Sequence, residues 1–399
     1  MIHALRSGCS VAFTSGPVQW WYNGWQIPHA QAKRSHSMTD LFQPFVIGKM
    51  SLPNRFVRSA TCVNLGKEGT VTDALVEVYR ELAAGEIGLI ITGGLFPKKT
   101  GRIFHGMLGA DTDSAIPGLA RIAEVVHQEG GKVAAQIIHG GGHCLPEWTG
   151  CQAEGPSSMI SPHSGLKVRE LSADEVHELV GMFVQAALRI KQAGFDAVQI
   201  HAAHSHLISQ FLSPVTNHRD DEWGGSAEKR ARFLMEIYRG IRRAVGPDYP
   251  ILAKLGLRDT HPEGKPIEEG LATASALADE GLDALEVSEG FEFEPGHHIR
   301  PSAMHPCFIE ECRQARARLR IPLILVCGMR TLADMEAVVE NNVADAVSLS
   351  RPLIMNPHLV RDFRKGLATQ SECISCNGCV EQGILGKPCL CTLRAAKQG

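Results

Sequence analysis

From Phe56 onward the chain alternates between two hydrophobic patterns. Short, largely apolar runs occur at 56–60, 89–92, 133–138, 197–200, 251–255, 284–287, 323–326 and 346–349. Continuous rather than alternating apolar residues mark strands covered on both faces, as in a parallel sheet. The stretches between them carry helical spacing. Over 172–194, Ser172 and Glu175 form a capping box and Val176, Leu179, Val180, Phe183, Ala187 and Ile190 fall on one stripe. Gly194 ends that helix. The phrase QAGFDAVQI at 192–200 is then a helix end, a tight turn and the next strand, and DEGLDALEV at 279–287 repeats it. Eight β/α units predict the α/β class and a TIM (β/α)8 barrel. An open doubly wound sheet usually carries GxGxxG in its first turn, and none occurs here.

Two connections are long, 140–171 after strand three and 202–226 after strand four. Both leave the C-terminal strand ends, where barrel active sites lie, so both are candidate lids. The segment AVQIHAAHSHLISQFLSPVTNHRDDEWGGS at 197–226 is the richest in the chain. Its apolar run stops at His201, and His204 and His206 follow. The remainder, with Asn217, Arg219, Asp220 and the Gly224-Gly225 pair, reads as a polar loop over a site rather than a core element.

Placing the strand ends on one rim gathers Ser59-Ala60-Thr61-Cys62, Thr92-Gly93-Gly94, Gln136 with His139, His201 with His204, Lys254, Cys327-Gly328-Met329 and Ser350-Arg351. Glycines at 93, 94 and 328 let a large flat group approach the backbone. The turns after strands seven and eight are the usual barrel site for a phosphate. One amide, one cation and one phosphate site suggest a phosphorylated cofactor with a polar heterocycle. Plainer roles compete with this one. His139 and His143 can pack or cap the loop, Gln136 and Lys254 can be ordinary rim polars, and Arg219, Asp220 and Asp221 suit salt bridges within the lid. His297-His298, after strand six, could reach a substrate.

Bulk properties narrow the partners. A net charge of −3 gives no electrostatic reason to expect nucleic acid or anionic membrane, and no apolar run approaches the ~18 residues that span a bilayer. A small-molecule substrate is expected, and a homo-oligomer is compatible with the sequence. Of the twelve cysteines, Cys373, Cys376, Cys379, Cys389 and Cys391 crowd the last 27 residues. Such clustering suits metal ligation in a reducing, cytoplasmic compartment better than a disulfide framework. Residues 1–37 contain no Asp or Glu and read as a non-structural extension before a natural start at Met38. The barrel is then assigned to 38–372 and the Cys-rich tail to 373–399.

The pieces LFQPFVIGKMSLPNRFVRSAT (41–61), GLIITGG (88–94), AQIIHGGG (135–142), the 197–226 segment, ILAKL (251–255), VCGM (326–329) and SLSRP (348–352) together resemble the Old Yellow Enzyme family of FMN-dependent NADH:flavin oxidoreductases and ene-reductases. The resemblance covers about 38–372. It implies that Gln136 bonds the flavin pyrimidine edge, that Lys254 places a charge near the N1/C2=O end, and that Ala60 and Thr61 lie under the ring with Gly94 beside it. Gly328, Ser350 and Arg351 would hold the phosphate. His201 and His204 would clamp an acceptor oxygen while hydride passes from NAD(P)H through FMN to an activated alkene such as an α,β-unsaturated carbonyl.

Departures bear on the substrate. His206 stands where many relatives have a tyrosine proton donor, so either His206 serves as the acid, or water does, or ene reduction is not the physiological reaction. Ala60 stands where relatives often have Pro, Lys254 and Gly142 where they often have Arg, and Cys62 where one branch places a thiol near the flavin. The tail spacing, Cys373-x2-Cys376-x2-Cys379 followed by Cys391 or Cys389, resembles the iron–sulfur segment of larger relatives such as trimethylamine dehydrogenase and dienoyl-CoA reductase. It implies a [4Fe–4S] cluster on Cys373, Cys376, Cys379 and Cys391, with structural zinc or unligated thiols as alternatives. The chain stops 20 residues after Cys379, so the nucleotide-binding domains of those relatives are expected to be missing. Three other functions stay open: oxidative dehydrogenation or demethylation of an amine, a metal-dependent barrel hydrolase using His201, His204 and His206, and a binding barrel without catalysis.

Overall fold

All eight apolar runs form strands, and the strands close into a ring of parallel pairs. The structure, a computed structural model, describes residues 40–292 and 306–394. The expected extension at 1–37 and the His297-His298 pair lie outside the described residues. In chain order the barrel strands are β1 (Phe56–Arg58), β2 (Leu89–Ile91), β3 (Val133–Ile137), β4 (Ala197–Ala202), β5 (Ile251–Gly256), β6 (Ala284–Ser288), β7 (Leu323–Val326) and β8 (Ala346–Leu349). Each pairs with the next, and β8 returns to β1. The fold is a TIM barrel, as the periodicity predicts.

The outer ring is α1 (Asp73–Ala84), α2 (Ile116–Gln128), α3 (Ala173–Gln192), α4 (Ala227–Val245), α5 (Ile267–Asp279), α6 (Ile309–Arg318), α7 (Leu332–Glu340) and α8 (Leu359–Arg364). Helix α3 starts as its sequence demands. The Ser172 hydroxyl accepts from the Glu175 amide at 3.2 Å, and the Glu175 carboxylate accepts from the Ser172 amide at 2.8 Å. Its buried face is Val176, Leu179, Phe183, Ala186, Ala187 and Ile190. Among the described residues no helix is long and apolar enough to cross a membrane.

The barrel interior has a dry layer and a polar layer. Val57, Leu89, Ile91, Ala134, Ala197, Leu252, Ala284, Ile324 and Ala346 form one cluster with Phe45, Ile47, Met50 and Leu52. Those last four come from an antiparallel hairpin, Phe45–Ile47 with Met50–Leu52, which plugs the N-terminal end. Side chains alternate along a strand, so the residue two places after each inner apolar one also points inward. That rule puts Gln136, Gln199, Lys254, Glu286 and Ser348 inside, one layer nearer the C-terminal rim. The residues between them, such as Ala135, Val198, Ala253, Leu285 and Val347, pack outward against the helices.

Two boundaries differ from the sequence expectation. Strand β1 ends at Arg58, leaving Ser59 and Ala60 on the rim. Strand β4 runs on to Ala202, so His201 is the Cα partner of Lys254 inside the sheet and does not follow it. The reading of 202–226 as an open polar loop is also corrected. Leu207–Leu212 is a short helix with every residue buried, and Trp223 is fully buried. Buried Asn217 donates its Nδ2 to the Phe211 carbonyl at 2.7 Å and the Trp223 carbonyl at 2.8 Å. Polar side chains are here because an irregular buried backbone needs partners. The 140–171 connection likewise holds a small sheet, Glu154–Gly155, Lys167–Glu170 and Met159–Ile160.

Candidate functional site

The polar layer centres on a carboxylate. Glu286 is completely buried, and its Oε1 accepts from the Ser59 and Ser348 hydroxyls, both at 2.7 Å. Its Oε2 accepts from Gln199 Nε2 at 2.9 Å. Lys254 Nζ donates to Ser59 Oγ at 2.9 Å and lies 3.5 Å from Glu286 Oε1. Gln136 Nε2 donates to Gln199 Oε1 at 2.7 Å. Burial alone would raise the Glu286 carboxyl. The Lys254 ammonium and the bonds from Ser348, Ser59 and Gln199 outweigh it and hold the group below its ordinary value. Gln136 and Lys254, read singly from the rim, are therefore joined through Gln199 and Glu286. Sequence reasoning passed over both of these. The signal was available: a lone Glu and a lone Gln within otherwise apolar strands.

Histidines crowd the end of β4. His201 is 4 % exposed, and its Nε2 lies 3.0 Å from His206 Nδ1. That same Nδ1 is 3.3 Å from the Ala203 carbonyl. A carbonyl only accepts, so the proton sits on His206 Nδ1, His201 Nε2 accepts, and neutral His201 carries its own proton on Nδ1. His201 Nδ1 is buried with no hydrogen-bond partner. His204 Nε2 pairs with Ser288 Oγ at 2.7 Å, and its ring stands 5.2 Å from that of His201. His204 and Ser205 take left-handed φ values of 55° and 58°, pinned by their amides to the carbonyls of Glu289 and Gly290. Burial, with His206, His204 and Lys254 adding to it, drives the His201 imidazolium well below its ordinary value. Burial likewise lowers His206 to about 4.

His139 has the packing role. Its Nδ1 accepts from the Gly141 amide at 3.1 Å and its Nε2 lies 3.2 Å from Glu154. Buried Glu154 also accepts from Thr100 at 2.7 Å, Lys98 at 3.2 Å and Arg169 at 2.9 Å. Gln210, unremarked in the sequence, ties the two lids. Its Oε1 accepts from the Gly142 amide at 3.1 Å and its Nε2 donates to the Ser205 carbonyl at 2.7 Å. Arg219 bonds Asp221 and the carbonyls of Pro156 and Leu171, the fixing role expected for it.

Elsewhere on the same rim, Val326 and Ser348 are register partners, so Gly328 and Ser350 end at one level. Cys327 and Gly328 are both left-handed, at φ 79° and 76°. Thr61 Oγ1 and Ser350 Oγ are 2.8 Å apart, and Arg58 Nη1 donates to the Ser350 carbonyl at 3.1 Å. Ala60 packs on the inner apolar cluster. Burial pushes the Cys62 thiol up to about 11. The glycines at 93 and 94 already have protein neighbours. A Cβ on Gly93 would meet the Thr61 carbonyl at 2.9 Å, and one on Gly94 would meet Ile138 at 2.2 Å.

The tail packs beside this rim. Arg351 Nη1 donates to Asn377 Oδ1 at 2.7 Å. Buried Arg330, a further residue the sequence did not flag, donates to Ser375 Oγ and the Met329 carbonyl, while its Nε has no partner. Cys373, Cys376, Cys379 and Cys391 line one cavity of about 20 Å³ together with Arg351 and Asn377. Cys389 does not line it. Its amide bonds Val63 and burial raises its thiol to about 12. Among the described residues no group of three or more His, Cys, Asp or Glu is arranged to hold a single metal ion.

Residues 40–370 match the NADH:flavin oxidoreductase / NADH oxidase family. The chain is 34% identical over 360 residues to a metal reductase of Desulforamulus reducens, covering 90% of this chain and 54% of that protein. It is 34% identical over 333 residues to an NADPH dehydrogenase of Bacillus subtilis, covering 83% of this chain and 96% of that protein. The chain thus spans about half the length of some relatives and nearly all of others. Among solved structures it superposes on 2-naphthoyl-CoA reductase in complex with 2-naphthoyl-CoA at a TM-score of 0.85 and 29% identity, covering 88% of this chain and 56% of that one. The chain belongs to the NADH:flavin oxidoreductase / NADH oxidase family, of Old Yellow Enzyme type.

Proposed function

We propose that this protein binds FMN on the C-terminal rim and reduces an activated alkene, such as an α,β-unsaturated carbonyl, with NAD(P)H as the hydride source. The observation that carries this reading is His201 Nδ1, a buried donor fixed in one tautomer and left without a partner. The rim fits a phosphorylated flavin. Lys254 and Gln136 offer a cation and an amide on the ring side, with Ala60, Thr61 and Gly94 at the edge. Gly328, Ser350 and Arg351, with the unpartnered Nε of Arg330, suit a phosphate. When bound, FMN supplies the hydride chemistry.

The chain's own residues hold the acceptor oxygen. His201 Nδ1–H donates to it, with His204 beside it, and negative charge building on that oxygen strengthens the bond in a site closed to water. His201 stays neutral near pH 7, so it polarises without carrying a charge of its own. His206 points its Nδ1 proton at His201, so it acts through His201 rather than directly on the substrate carbon.

The tail supports a second proposal. Cys373, Cys376, Cys379 and Cys391 line one cavity and Cys389 does not, and four thiolates are the ligand set of a [4Fe–4S] cluster, which supports Cys391 as the fourth ligand. An amine-oxidising role remains the competing reading of the same flavin site. One experiment separates them: anaerobic reduction of the yellow protein by NADH and by NADPH, then reoxidation by a panel of enones and, in reverse, reduction by amines. Reoxidation by enones is expected. Reduction by amines with no enone turnover would overturn the reading. Iron and sulfide assay of anaerobically purified protein tests the tail, and absence of both would remove the cluster.

A further inference from the structure

Besides His201 Nδ1, two other buried ring nitrogens near β4 have no hydrogen-bond partner: His143 Nε2 and His163 Nε2. Both belong to the first lid, and neither has a part in the reaction above. The four rings form a row. His206 lies 4.9 Å from His201 and 5.1 Å from His143, centroid to centroid, and His143 lies 4.0 Å from His163. His201 and His206 share their 3.0 Å bond at the 4.9 Å spacing, and His143 stands at nearly the same distance from His206. His163 is the outer end. It is half-buried against Phe291, and Pro162 before it and Gly165 two residues after it are exposed.

A neutral imidazole carries a proton on one nitrogen and a lone pair on the other, so adjacent rings can pass a proton along without building charge. The groups facing the row are His204 and Lys254 at His201, His204 at His143, and His139 at His206. Burial lowers His143 and His201 well below the ordinary value and holds His163 and His206 at about 4, so all four rings are neutral near pH 7. A neutral ring that gives up its proton must be resupplied at once or become an imidazolate. His201 is too buried to be resupplied by bulk water.

We propose that His163 and His143, with His206, form a proton relay from solvent to His201. The relay rests on the ene-reduction reading. As hydride adds to one alkene carbon and the electron pair shifts to the carbonyl oxygen, a proton leaves His201 Nδ1 for that oxygen. His206 Nδ1 protonates His201 Nε2, His143 reprotonates His206, and His163 reprotonates His143. Water supplies His163 and leaves hydroxide in solvent. Each ring keeps one proton and turns to restore its tautomer, and the enol product returns to the carbonyl form in water.

The test uses the flavin-loaded full chain. His163→Phe keeps a ring against Phe291 but removes the exchangeable proton, and His143→Gln interrupts the row one step further in. In single-turnover reoxidation of the reduced enzyme by cyclohexenone, each variant is expected to be at least tenfold slower, with a larger solvent deuterium isotope effect. Reduction of the flavin by NAD(P)H should be unaffected. His163→Ala should regain rate when imidazole is added. Parent-like reoxidation and isotope effect in both His163→Phe and His143→Gln would overturn the relay. If the parent itself ignores cyclohexenone, the ene-reduction reading fails instead. The relay is then judged by exchange of the His206 ring N–H with D2O in 15N-histidine-labelled protein. Slower exchange in His163→Phe supports it, and unchanged or faster exchange overturns it.

Discussion

The two polar clusters of the barrel, the Glu286 web and the histidine row, stand side by side and are built on opposite rules. In the web each donor has an acceptor and the carboxylate is held ionised by Lys254 and three hydrogen bonds. In the row the imidazoles are held neutral and three ring nitrogens are left over. A finished network fixes geometry and charge beneath a site. An unfinished one, at the same depth, presents donors that only a ligand or a moving proton can satisfy. Register links them directly, since His201 and Lys254 are Cα partners across β4 and β5.

The largest expected effect breaks the web. Lys254→Met leaves Glu286 buried without its cation and should cost about 3–5 kcal/mol of stability, read from urea unfolding at pH 7. Adding Glu286→Gln should recover much of that loss; a single variant as stable as the parent would show that the pair is not coupled as described. On the other side of the comparison, His201→Ala should slow enone turnover about 10²–10³-fold by loss of one oxyanion donor. The folded protein and its reduction by NAD(P)H should survive, because no charge is stranded.

Acid separates the clusters by window, since both lose their share as pH falls. His206 and His163 titrate at about 4 when folded against 6.5 ordinarily, so the unfolded chain binds more protons between these values. Their stabilising share is therefore complete above 6.5 and is lost as pH falls towards 4. The depressed Glu286 carboxyl adds its loss only below its ordinary value of 4.5. Thermal melting across this range should fall in two stages, and a His163→Phe/His206→Phe variant should blunt the first alone. Ser172→Ala gives the smallest effect, about 1 kcal/mol from the lost α3 cap. It should leave the flavin spectrum and enone turnover intact, showing that instability by itself moves neither cluster.

Much of the architecture was legible. Eight runs gave eight strands because burial on both faces demands a largely apolar sequence, and the α3 box formed between residues three apart. The errors lay where polarity was read as exposure. Asn217 and the residues around it looked like a solvated loop, yet they are buried and serve carbonyls that no strand or helix could reach. Glu286 and Gln199 were passed over within their strands, yet they are the centre of the inner layer.

The sequence by itself determined the strand and helix order, the barrel, the family and the candidate roster of His201, His204, Gln136, Lys254 and Arg351, because these follow from local periodicity and from motifs a few residues long. Tertiary structure alone decided which of them act together. Barrel closure sets the register that joins Gln136 to Lys254 through Gln199 and Glu286. It also brings His143, about 60 residues before His206 in the chain, against its ring, and His163, about 40 residues before it, against the ring of His143. Hydrogen bonds and proton positions depend on distances of a few ångströms between segments far apart in sequence, and pattern along a chain carries no such distance.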